Sequence, residues 1–130
     1  MTSKVEYVNY KINKAQDAVK IAQMLYDNGF YQDALSKIYY AAFYAVSSLM
    51  RNLNLNPKTH LGAKALFHKE FVQTGIIDKK TGTLYDNLLA KRFEADYEYF
   101  ALIDPEDIPK YIEEIKLFIE KAKEIIQQEK

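Results

Sequence analysis

The sequence predicts an all-α protein, a five-helix up-and-down bundle folded as a single domain over residues 1–130, and three observations carry that prediction. Apolar residues recur at steps of three and four through most of the chain, which is the period of an amphipathic helix. No stretch alternates apolar and polar residues for long enough to make a strand. The composition agrees, since 48% hydrophobic and 28% charged residues with only 4 Gly and 3 Pro describe an ordered helical chain. A chain of this length buries roughly two-thirds of its unfolded surface, enough for a core without covalent staples.

The first helix spans Ser3 to Asn28, where Val8, Ile12, Ala15, Val19, Ala22 and Leu25 make one stripe and Asn28-Gly29 ends it. The second, Tyr31 to about Leu53, directs Leu35, Ile38, Ala42, Phe43, Val46, Leu49, Met50 and Leu53 inward. It also carries a second row, Ser36, Tyr40, Tyr44, Ser47 and Arg51, and so has two contact faces. Pro57 breaks the chain, and Thr59 is placed to cap a third helix that ends near Thr74-Gly75. Residues Ile76 to Thr83, with Gly82, read as a loop before a fourth helix from about Leu84 to Leu102. Asp104-Pro105-Glu106-Asp107 is the sharpest local signal, an Asp cap followed by Pro and acids in a first turn. The fifth helix, Ile108 to about Gln127, buries Ile112, Ile115, Phe118, Ile119, Ala122 and Ile126.

Several function classes drop out on composition. There is no cysteine, hence no disulfide framework, thiolate zinc site or cysteine nucleophile. Eighteen basic and eighteen acidic residues leave no net charge, so contact with nucleic acid requires a local patch. The weakly polar run Ile38 to Met50 is shorter than the ~20 residues of a membrane helix. No apolar secretory segment opens the sequence, and a cytoplasmic protein with no membrane contact is expected. His60 and His68 lie about 12 Å apart along a helix, too far to share a metal, so neither a metal nor a cofactor is expected. His60 is expected near a helix start, where the positive helix end favours a neutral hydrogen-bonding ring, with a role as general acid as the alternative.

The candidate site centres on Leu89-Ala-Lys-Arg-Phe-Glu-Ala-Asp-Tyr-Glu-Tyr-Phe100. At about 100° per residue, Arg92, Asp96 and Tyr99 fall along one side of a helix, charge where core would be expected. A solvated Arg92–Asp96 ion pair would give the same pattern. Lys58, His60, Lys64, His68, Lys69, Lys91 and Arg92 would make a basic patch if the third and fourth helices lie together. The second helix's leftover row of Tyr40, Tyr44 and Ser47 predicts a homodimer across the second and fourth helices.

Three blocks in order, Gly29-Phe-Tyr31-Gln-Asp-Ala34-Leu-Ser36-Lys-Ile-Tyr39-Tyr40-Ala41-Ala-Phe43, Thr59-His60-Leu-Gly with Phe67 and Phe71-Val-Gln-Thr-Gly75, and Arg92-Phe-Glu-Ala95-Asp96-Tyr97, resemble the HEPN domain family. The resemblance is to its short stand-alone prokaryotic type, often paired with a minimal nucleotidyltransferase. It implies a helical bundle, a dimer whose shared cleft holds the active residues, and a toxin–antitoxin component or a nucleotide- or substrate-binding accessory subunit. Nuclease members carry Arg followed by His and cut RNA without metal. Here Arg92 matches the Arg, but Tyr97 stands where the His is expected, and a phenol with pKa near 10 is a poor proton shuttle at neutral pH. Arg92, Asp96 and Tyr97 are the catalytic candidates the resemblance offers, with Arg92, Tyr40, Tyr44 and His60 to bind the ligand. Tyr99 matches a tyrosine that the partner nucleotidyltransferase can modify with AMP. A metal-independent endoribonuclease and a non-catalytic interaction module are the alternatives.

Overall fold

The computed structural model describes residues 3–97 and 104–128, with side chains described as far as Arg92 in the fourth helix. Its elements are α1 (Lys4–Asp27), α2 (Tyr31–Asn52), α3 (His60–Phe67), α4 (Lys79–Tyr97) and α5 (Ile108–Gln128). A π-helical segment, His68–Val72, continues α3, and a 3₁₀ turn, Pro105–Asp107, leads into α5. Among the described residues there is no strand, and the all-α bundle expected from periodicity is the fold.

Local chemistry sets most helix starts. The Ser3 hydroxyl accepts from Glu6 N–H, Thr59 Oγ1 accepts from Gly62 N–H at 2.8 Å, and Asp104 Oδ1 accepts from Glu106 N–H at 3.0 Å. Gly29, at φ +83°, makes the turn that folds α1 back on α2. α2 is the hub of the bundle, packing on α1, α3, α4 and α5. Along it Ala34, Ala41, Ala45 and Ser48 form a fully buried line of small side chains. The Ser48 hydroxyl is satisfied within the helix by donating to the Ala45 carbonyl at 2.7 Å, so it can be buried without a partner elsewhere.

Two expectations need correction. The fourth helix starts at Lys79, not Leu84, because Asp78 caps it: Asp78 Oδ1 accepts from Thr81 N–H at 2.9 Å, and hydrogen bonds from Thr81 hold the carboxyl below its ordinary range. Gly82 lies inside this helix rather than in a loop. A Cβ there would stand 3.0 Å from both His68 Cε1 and Val72 Cγ2, so the glycine is where α4 presses on the π segment. The third helix is also not uniform to Thr74, since Gln73 N–H reaches back to the His68 carbonyl and widens the last turn. The expected end of the fourth helix at Leu102 lies outside the described residues.

The Gly82 contact gives a test with opposed terms. Alanine gains about 1 kcal/mol in helix propensity over glycine, yet here it must displace a buried valine and a hydrogen-bonded histidine. Gly82→Ala is expected to lower the urea midpoint, by about 1 kcal/mol or more in stability; a raised midpoint would mean that the π segment yields freely.

Candidate functional site

Side chains from α2, α3 and α4 meet at one end of the α2–α4 contact. Tyr39 and Tyr40 are neighbours on α2, so they point in directions about 100° apart, and each finds a different partner. Tyr39 belongs to the apolar stripe and is fully buried, whereas Tyr40 is half-buried beside it. Arg92 Nη2 of α4 donates to Tyr40 Oη at 2.8 Å, and its guanidinium lies 5.0 Å from the Tyr40 ring centre and 5.7 Å from that of Tyr39. A planar cation over two aromatic rings keeps donors in its fork for a further acceptor.

His60 completes the cluster from the first turn of α3. Its Nδ1 hydrogen-bonds Tyr39 Oη, and its ring lies 4.5 Å from Phe43 and 6.2 Å, edge-on, from Tyr40. Tyr39 thereby fixes the imidazole and leaves Nε2 as the nitrogen a ligand would meet. Burial lowers the His60 pKa, and the Arg92 charge lowers it further. The ring is neutral at pH 7 as expected, although burial and a neighbouring cation are the causes in place of the helix end alone. Burial also pushes the Tyr39 hydroxyl up to about 12, so it keeps its proton. Behind it Tyr85, fully buried and raised further by burial, places its hydroxyl with no hydrogen-bond partner among the described residues.

A depressed histidine pKa has a definite sign in folding. The unfolded ring takes up a proton near 6.5 while the folded ring resists it, so this stability is fully present above pH 6.5 and is lost as pH falls through the lower folded value. The melting temperature of the parent is expected to fall more steeply than that of His60→Gln between pH 6.5 and 5. Parallel curves would place His60 in an unperturbed setting.

The site residues expected from sequence are thus distributed unevenly. Arg92, Tyr40 and His60 come together, and Tyr44 adjoins them with its ring 6.1 Å from Tyr40. The side chains of Asp96 and Tyr97, and Tyr99 altogether, lie outside the described residues. The basic patch is not continuous: His68 Nε2 and Lys64 Nζ instead approach Asp86 Oδ1 at 2.8 and 3.9 Å, a separate cluster where α4 meets the π segment. Tyr39 and Tyr85 escaped the sequence reading as site residues. The signal for Tyr39 was present, four residues after Leu35 and three before Ala42 on the buried stripe.

Comparison with known proteins gives a consistent relationship along nearly the whole chain. The model of the HEPN domain family matches residues 8–126. A UPF0332 protein of Thermotoga maritima is 29% identical, over 98% of this chain and 96% of its own. Two proteins of Methanocaldococcus jannaschii are similar: "Putative toxin MJ0142" at 30% identity over 97% of this chain and 90% of its own, and "Putative toxin MJ0605" at 29% over 95% and 91%. Among the described residues no helix is long and apolar enough to cross a membrane.

Proposed function

The chain belongs to the HEPN domain family, and from that premise we propose that it is the toxin component of a toxin–antitoxin pair, acting on RNA and restrained by a minimal nucleotidyltransferase partner. The observation that carries this reading is the Arg92–Tyr40 hydrogen bond beside a neutral, oriented His60. Arg92 holds the scissile phosphate, its fork matching two phosphate oxygens while Tyr40 fixes the guanidinium. His60 Nε2 takes the proton of the ribose 2′-hydroxyl as its oxygen attacks phosphorus. The bond from phosphorus to the 5′-oxygen breaks, and that oxygen leaves as a hydroxyl with a proton returned by the imidazolium. The product is a 2′,3′-cyclic phosphate, and the imidazole missing at position 97 is supplied from α3. Asp96 and Tyr97 support Arg92 from the same helix, and Tyr99 is the residue the partner would modify. The protein works as a homodimer across α2 and α4, which sets two Arg92 sites along one cleft.

Incubating the purified protein with total RNA, with and without EDTA, tests the reading. Fragments ending in 2′,3′-cyclic phosphate, unchanged by EDTA and absent for Arg92→Ala, are the expected result. Intact RNA together with measurable nucleotide binding would instead favour the accessory-subunit reading, for which the histidine missing after Arg92 speaks.

A further inference from the structure

The surface that α1 and α2 share beside this site carries cations in an uncommon setting. Tyr7, Lys11 and Lys14 follow one another at steps of four and three, so they line one side of α1. The Lys11 ammonium lies 5.4 Å from the Tyr7 ring centre and 5.3 Å from that of Tyr44. The Lys14 ammonium lies 5.7 Å from Tyr10 and 5.5 Å from Tyr44, and the Arg51 guanidinium 5.7 Å from Tyr7. Among the described residues no carboxylate pairs with Lys11, Lys14 or Arg51. The nearby acids of α1, Glu6 and Asp17, point roughly 90–110° away round the helix.

Between these side chains lies a pocket of about 110 Å³, with Lys11, Arg51, Ser47 and Tyr7 in its wall and no acidic residue. Its volume suits one phosphate group, given that a water occupies about 30 Å³. Phe43 lines the same pocket and packs on His60, and Tyr44 contacts Tyr40, so pocket and Arg92 site are joined through shared aromatic rings. Tyr10, 55% exposed, offers a free ring face at the outer end.

We propose that this strip is a second subsite for single-stranded RNA. The Lys11–Ser47–Arg51 pocket takes one backbone phosphate and Tyr10 stacks a neighbouring base, a few nucleotides from the phosphate at Arg92. Cations resting on rings, rather than paired with carboxylates, are free to exchange counterions for phosphate. A tyrosine platform is of use only for a base that is not already paired and stacked, which selects a single strand over a duplex. The proposal rests on the reading of Arg92 as an RNA site, and the two are separable.

Fluorescence anisotropy with a labelled 12-nucleotide oligouridylate, from 50 to 300 mM NaCl, tests it on the full chain. K11Q/R51Q is expected to reduce the slope of log affinity against log salt by about 1.4, from two lost phosphate contacts on a single strand. Tyr10→Ala should weaken binding about tenfold, and Tyr10→Phe should restore it. Melting curves establish that each variant folds. Parental affinity and slope in K11Q/R51Q overturn the strip, and loss in Arg92→Ala alone would then leave the proposed function standing. Loss in K11Q/R51Q with parental binding by Arg92→Ala upholds the strip and removes Arg92 from the RNA site. No affinity of the parent for the oligonucleotide, or a halved particle mass for K11Q/R51Q, which would make the strip a contact between copies, overturns it as well.

Discussion

Arg92→Ala is expected to abolish growth arrest on expression and to lower RNA cleavage by roughly 100-fold or more, the usual consequence of removing one preorganised donor from a developing anion. The guanidinium is held before any ligand arrives: Tyr40 Oη accepts one of its N–H bonds at 2.8 Å, and two aromatic rings lie against it. No reorganisation is then needed at the moment charge builds on phosphorus. Arg92→Lys keeps the charge and loses the planar fork, so it should recover only a small part of the activity. Because the side chain also packs on Tyr39 and Tyr40, melting temperatures are needed alongside. A variant that melts like the parent and cleaves like the parent would remove Arg92 from the chemistry.

The largest loss of stability is expected at Phe67. It is fully buried, and its ring meets Phe71 at 6.3 Å, Tyr85 of α4 at 5.4 Å and Phe118 of α5 at 5.6 Å. It therefore ties α3, the π segment, α4 and α5 into one aromatic block, and a small side chain cannot be compensated by movement of any single neighbour. Phe67→Ala should cost about 3–5 kcal/mol, a large share of the ~5–15 kcal/mol that holds a domain together. The urea midpoint should fall accordingly, whereas Leu61→Ala, one turn earlier and 64% exposed, should stay within about 0.5 kcal/mol of the parent. A shift below about 1 kcal/mol in Phe67→Ala would mean that the aromatic block is loosely packed.

What could be read in advance follows the range over which each cause acts. Caps at Ser3, Thr59 and Asp104 are settled within a few residues, and the sequence states them openly. The buried stripes of α1 and α5 follow from period alone: five of the six α1 positions expected inside are buried, with Leu25 half-buried, and in α5 all six are. The start of α4 was hidden because Gly82 answers to His68 and Val72, which only the folded chain brings against it. The π turn was hidden for the same reason. At the site, Arg92 announced itself as a charge beside apolar residues. Its meeting with His60 did not, since it depends on Tyr39 and Tyr40 of a third helix standing between them.

The line of small side chains on α2 bears on how the protein can change over time. Ala34, Ala41, Ala45 and Ser48 leave no room to grow, and α1 contributes fully buried alanines of its own at positions 15 and 22. Larger residues at these points would wedge neighbouring helices apart and carry Lys11 and Lys14 away from Tyr44. Sequence drift along the outer faces can proceed residue by residue, but along this line it is confined to side chains of nearly the same volume. Lineages of this fold should consequently vary in the chemistry of their clefts while inheriting an almost fixed distance between the two helices that bear it.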